Sequence, residues 1–259
     1  MASRACDAIG VRWEILSPAP LAPEVLTAVD ARIEAYDRVW SRFREDSLVR
    51  RIAREPGAWR LPAEAGPLLE LYRVLHEATA GRVSPLVHAG APALPWDDAI
   101  AWDGEVLQAP APVQLDVAAA GKGQLVDLVV EVLAAHGIEE CTVDGSGDLR
   151  HRGAPLRIGL EHPGDPRLAV GVVELADGAI AASAPNRQPG HIVDASTGLP
   201  VAGVAATWAI ADTAMVADGA ATALFFLDEP PSTLGIRWAR MDTAGRIRTS
   251  PDWPGEVFI

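Results

Sequence analysis

Cysteine is scarce in this 259-residue chain. Cys6 and Cys141 stand far apart with no CxxC pair, which excludes a disulfide framework and a cysteine-rich zinc site. The expected compartment is therefore reducing. There is no uncharged apolar run of about 18 residues, and the opening MASRACDAIGVRWEIL lacks the apolar centre of an export signal. These absences predict a cytoplasmic protein without a membrane anchor. Positive charge is also short: 22 Lys and Arg face 35 Asp and Glu, a net charge of −13 that disfavours nucleic acid and anionic membranes as partners. An anionic ligand must meet a local exception, such as a metal ion or a helix N-terminus. What the chain does have is 49% apolar residues, ample for a core.

Hydrophobic periodicity organises that material. Val11 to Leu16 alternates and predicts a strand. Pro23 opens a helix with Val25, Leu26, Val29, Ile33, Tyr36 and Trp40 on one stripe. A second helix carries Leu68, Leu71, Tyr72, Leu75 and Ala78 inward and stops at Gly81. Pro85 to Pro112, rich in proline and tryptophan without a period, reads as an irregular packed loop. A third helix follows DVAAAGKG, with Leu125, Leu128, Val129, Val132 and Leu133 on one face and an end at His136-Gly137. Strands are expected over 140–143, 156–161, 170–175 and 179–182. A buried strand over 204–212 runs into a helix over 213–227, capped by Asp212 or Thr213, and GIRWARM with GRIRTS closes as a hairpin. Strands and helices without strict alternation predict an α+β architecture.

Four stretches carry candidate chemistry. DVAAAGKG (Asp116 to Gly123) fails as a P-loop twice, because Asp116 stands where glycine is needed and Gly123 follows Lys122. Its small residues and Lys122 suit an anion at a helix start, or equally a close packing of backbone. In ADGAATAL, Asp218 and Thr222 share a helix face; with backbone carbonyls they form a hard oxygen set suited to Mg²⁺, or a surface aspartate and a back-bonded threonine. GHIVDASTGLPV places His191 and Asp194 in a strand and turn. In VDGSGDL, small residues between Asp144 and Asp148 are placed to turn backbone amides toward a ligand.

In this order the four stretches resemble the ApbE family, the FAD:protein FMN transferases. DVAAAGKG, VDGSGD, HIVDASTGLP and ADGAATA are similar to its successive motifs, as are AIGVRWEI, WSRFREDSLVRRI and GRVSPLV. The resemblance implies an α+β, ApbE-like (T-fold-like) fold of mixed or antiparallel sheets packed against helices, one domain over 1–259. It implies that Asp116 and Lys122 contact FAD, that Gly10 lies near the flavin, and that His191 sits near the pyrophosphate. The Ala119 carbonyl, Asp218 and Thr222 would hold Mg²⁺. The implied reaction splits FAD and attaches FMN through a phosphoester to a Thr or Ser hydroxyl of an acceptor flavoprotein, releasing AMP. Asp218 is expected to be indispensable and His191 contributory, with His191, Asp218 and Asp194 the candidate bases. Lys122 and the helix start behind it would add positive potential. An FAD pyrophosphatase and a non-catalytic FAD-binding protein are the alternatives. The departures gather at the flavin: Val83-Ser84-Pro85 replaces Phe-Asp-Pro, HAGAPALPWDD shortens an aromatic-glycine segment, and Asp144, Ala195 and Ala182-Ser183-Ala184 replace the family's usual residues.

Overall fold

A computed structural model describes residues 1–87, 90–185, 190 and 192–258. The chain enters as a hairpin, β1 (Ala2–Ala8) and β2 (Val11–Ser17). Ile9 and Gly10 both take positive φ, 47° and 81°, as a two-residue turn between right-twisted strands requires. Next come α1 (Pro23–Trp40), α2 (Leu48–Ile52), β3 (Gly57–Arg60) and α3 (Ala65–Ala78). They are followed by α4 (Trp96–Ala99), β4 (Ala101–Trp102), β5 (Val106–Ala109) and α5 (Gly121–Ala135). A run of strands follows: β6 (Cys141–Asp144), β7 (Asp148–Arg152), β8 (Leu156–His162), β9 (Asp165–Leu175), β10 (Gly178–Ser183), β11 (Val193–Asp194), β12 (Leu199–Pro200) and β13 (Val204–Ala211). Helix α6 (Ala214–Ala223) and strands β14 (Arg237–Asp242), β15 (Ile247–Thr249) and β16 (Gly255–Val257) complete the chain.

The main sheet has the order β1-β2-β6-β7-β10-β13-β14-β15, and its neighbouring strands pair antiparallel. Its two faces differ in side-chain size. Toward the helices, β10 and β13 present Ala179, Ala181, Ala209 and Ala211; away from them they present Ile180, Trp208 and Ile210. The alanines let α6 lie close, and α6 itself buries Ala217, Gly219, Ala220 and Ala221. The larger side chains fill a second core beneath the small sheet β16-β9-β8, through Leu160, Val173 and Leu175. This α+β arrangement agrees with the expected class.

Several details correct the sequence reading. The stretch from Pro85 to Pro112 holds α4, β4 and β5; β5 pairs with both β3 and β4, so its order comes from a distant strand rather than local periodicity. β1 and β7 were not anticipated; each is ordered by pairing with its hairpin partner, β2 for β1 and β6 for β7. On α5 the buried stripe runs through Leu125, Val126, Val129, Val130 and Leu133, leaving Leu128 and Val132 half-buried. Ala78 is exposed, and Thr79 takes the buried position beside it. Helix α6 ends at Ala223, short of Leu227.

Candidate functional site

The site is built where α5 and α6 begin and cross. Gly123 makes the crossing possible: a Cβ there would stand 2.2 Å from the Ala214 carbonyl oxygen and 2.8 Å from Asp218 Cβ. Gly219 serves the same purpose against α3, where a Cβ would meet Leu75 Cδ1 at 2.8 Å. Each helix start is closed by a carboxylate from the other. Asp127 of α5 accepts the Ala214 and Met215 amides at 2.9 Å each, and Thr213 caps the same end through the Val216 amide at 3.3 Å. Asp218 of α6 accepts the Gly123 amide at 3.0 Å.

Burial pushes the Asp127 carboxyl up from 3.8 to about 6, against the two amide bonds that lower it. Between about pH 4 and 6 the folded chain therefore keeps a proton that the unfolded chain has released, and stability falls as pH rises through that window. Asp127→Asn is expected to flatten the decline, which melting temperatures across the window would show; an unchanged slope would assign it to other groups.

Asp218 is 4% exposed. Burial holds its carboxyl well above the usual range, and the Asp148 carboxyl facing it adds to the rise; Lys122 and the Gly123 amide act in the opposite direction. Lys122, the only lysine of the chain, places Nζ 2.5 Å from Asp148 Oδ2 and 3.4 Å from the Ser146 carbonyl. Burial disfavours its ammonium, but Asp148, Asp218 and Asp144 outweigh that and raise its pKa. The expected positive potential is thus corrected. One ammonium faces three carboxylates, and the α5 helix start spends an amide on Asp218.

The loop before α5 is held from both sides by the chain's two tyrosines. Tyr72 Oη accepts the Ala119 amide at 3.1 Å and lies 3.5 Å from the Asp116 carbonyl; Tyr36 Oη donates to the Gly121 carbonyl at 2.8 Å. The Ala119 carbonyl lies 3.5 Å from Thr222 Oγ1, so two of the expected metal oxygens adjoin. Asp116 accepts the Ala118 amide at 2.9 Å and pairs with Arg42 Nη1 at 2.9 Å. The Arg42 guanidinium lies 4.8 Å from the ring centroid of Phe43, which is 81% exposed, and both line a cleft of about 240 Å³.

The remaining expectations divide. Gly10 stands in the β1–β2 turn, where its φ answers the hairpin without reference to a ligand. His191 lies outside the described residues. Asp194 is engaged in its own turn, accepting the Ser196 amide at 2.9 Å and hydroxyl at 2.6 Å. The VDGSGDL stretch does not turn its glycine amides outward. Gly145 donates to the Asp148 carbonyl at 2.9 Å, and Gly147 to Asp144 Oδ1 at 2.8 Å. The sequence reading missed Tyr36, Tyr72, Arg42, Asp127 and the Lys122–Asp148 pair. The one signal available was the aspartate at the end of VDGSGD.

Among the described residues no three His, Cys, Asp or Glu side chains converge as a metal group. A cation here would depend on one carboxylate, a hydroxyl and a backbone carbonyl, a donor set that suits a hard divalent ion keeping much of its water. The excess of buried carboxylate over ammonium around Asp218 fits such an ion.

An antiparallel sheet backed by α5 and α6 makes this an α+β protein with its candidate site at the crossing of the two helices. Over 96% of its length the chain superposes on the flavin transferase ApbE from Vibrio cholerae, with TM-score 0.82, 23% identity and 97% of that chain covered. An ApbE protein from Thermotoga maritima gives TM-score 0.81 at 20% identity, with 96% of this chain and 97% of that chain covered. The sequence model of the ApbE family matches residues 9–243, and the chain belongs to that family. A Vibrio cholerae protein named FAD:protein FMN transferase is 35% identical over 130 residues, 44% of this chain and 39% of that protein. A Rhodobacter capsulatus protein of the same name is 28% identical over 159 residues, 54% of this chain and 30% of that one. The matched segments thus span well under half of the curated relatives. Among the described residues no helix is long and apolar enough to cross a membrane.

Proposed function

We propose that the chain is a Mg²⁺-dependent FAD:protein FMN transferase. The acceptor's Thr or Ser oxygen attacks the FMN phosphorus, the pyrophosphate P–O bond to AMP breaks, the hydroxyl proton passes to a base, and AMP leaves. The observation that carries this reading is the Ala119 carbonyl 3.5 Å from Thr222 Oγ1, with the buried Asp218 carboxylate one helical turn before Thr222 on α6. The names of the relatives support the same reading. Bound there, Mg²⁺ would neutralise charge on the phosphates. The chain's own residues would do the rest. Tyr72 would fix the Ala119 carbonyl, Lys122 would hold the Ser146 turn, and Asp116 with Arg42 and the exposed Phe43 would position the dinucleotide. Asp218 and His191 are the candidates to receive the proton.

The test is AMP release from FAD with and without Mg²⁺, read together with the mass gain of an acceptor. Release that needs no metal, or no release from wild type, would overturn the reading. Tyr72→Phe leaves the Ala119 amide without its acceptor. It is expected to lower stability by about 1–2 kcal/mol and to raise the Mg²⁺ concentration needed for half-maximal AMP release. An unchanged Mg²⁺ titration would separate Ala119 from the metal.

A further inference from the structure

The main sheet has two outer strands, β15 of three residues and β1 of seven. Among the described residues no strand pairs with the outer side of β1. Ile9 and Gly10 form a two-residue turn closed by Ala8 and Val11, so Ala8 exchanges its backbone bonds with β2, and Cys6, Arg4 and Ala2 follow at every second position. Ser3, Ala5 and Asp7 therefore direct their N–H and C=O groups away from β2. The side chains of all three are exposed.

Edges of this length are usually guarded by proline, lysine, a bulge or a cover. The strand ASRACDA has neither proline nor lysine, and it pairs with β2 at all seven positions without a register shift. Its two charges are already engaged within the chain. Arg4 lies 3.5 Å from Asp30 of α1, on the helix side of the sheet, and Asp7 lies 4.0 Å from Arg12 across the hairpin on the other side. On a chain of net charge −13 this edge is thus locally neutral.

We propose that β1 is a self-association edge, on which a second copy of this chain adds its own β1 antiparallel and joins the two main sheets into one. A two-fold axis perpendicular to the sheet keeps each side chain on its own face and sets one residue opposite itself. Ala5 is the central residue of β1, and an axis there overlaps the whole strand. Ala5 then meets Ala5 of the second copy, Ser3 meets Asp7, Arg4 meets Cys6 and Ala2 meets Ala8. No like charges stand opposite one another, so the strand is its own complement. Ser3, Ala5 and Asp7 fall in the pairs that exchange backbone bonds, about six in all. An axis at Arg4 would oppose two guanidinium groups, and one at Asp7 two carboxylates. An axis at Cys6 would leave Ala2 and Ser3 beyond the end of the partner strand.

Sedimentation velocity of the whole chain over about 1–500 µM is expected to show a dimer that strengthens as salt rises, because screening relieves the repulsion between two copies of charge −13. Ala5→Pro removes an outward N–H from each copy and is expected to weaken dimerisation about tenfold or more. Ala5→Lys and Ala5→Glu each set like charges together at the axis and are expected to weaken it about fivefold or more, while an equimolar mixture of the two recovers it. That recovery cannot come from a misfolded chain. Ala5→Cys in a Cys6→Ser background is expected to form a disulfide dimer on oxidation, since opposed residues of a bonded pair have Cα atoms about 5.5 Å apart. Wild type is expected to form none through Cys6, whose counterpart is a diagonal neighbour about 7–8 Å away. A chain that stays monomeric throughout the range, a dimer indifferent to the Ala5 variants, or a mixture without recovery would overturn the proposal. A disulfide through Cys6 and none through the introduced cysteine would overturn the pairing centred on Ala5.

Discussion

Asp218→Asn is expected to make the metal-free protein more stable, by about 2–6 °C in melting temperature, while lowering Mg²⁺-dependent AMP release by about a thousandfold or more. Asp218 is 4% exposed and faces Asp148, with the Lys122 ammonium as the positive charge that acts on both. Burial of like charges disfavours the folded state, and an amide relieves it. Its oxygen still accepts the Gly123 amide, which Asp218 takes at 3.0 Å, and its nitrogen can donate to Asp148. What asparagine cannot supply is the anionic oxygen that the proposed Mg²⁺ set needs from Asp218. Melting in the presence of a chelator and AMP release with saturating Mg²⁺ check the two halves separately. A lower melting temperature would mean that the carboxylate belongs to a favourable network, and retained AMP release would remove it from the metal set.

Gly123→Ala is expected to cost about 3–5 kcal/mol or to prevent folding. The added methyl would lie 2.2 Å from the Ala214 oxygen and 2.6 Å from its carbon. Both atoms are α6 backbone, with no rotamer to move aside. Separating the helices would pull Asp127 from the Ala214 and Met215 amides and Asp218 from the Gly123 amide. Gly66→Ala in α3 is the control: nothing lies within 4 Å of its missing Cβ, and it is expected to stabilise the chain by about 0.5–1 kcal/mol. Denaturant unfolding of the pair gives the contrast directly. A loss below about 1 kcal/mol at Gly123 would show that the crossing can relax.

These residues also show how far the sequence could be read. Gly123 belongs to a stretch with two open readings, a cradle for an anion or a close packing of backbone. The packing reading describes Gly123 and Gly121, since a Cβ at each would come within 3 Å of a neighbour. The cradle reading is met from inside the protein, by the carboxylate of Asp218. Asp218 and Thr222 were legible as one helix face because their spacing is local. Ala119 joined them through the family resemblance, and its carbonyl does adjoin Thr222.

By itself the sequence determined the helix α1 with its buried Val25, Val29, Tyr36 and Trp40, the stops at Gly81 and Gly137, the strand entering α6 and the β14–β15 hairpin. Apolar period, capping and turn chemistry act over a few residues, so they are written in neighbouring letters. Only the tertiary structure decided that Lys122 is spent on Asp148, that Arg42 holds Asp116, that Tyr72 holds Ala119, and that β5 finds β3. Each of these joins segments remote in the chain, and their pairing depends on which faces the helices and sheets bury against one another. No local pattern encodes that choice, because it is made by the packing of the whole core.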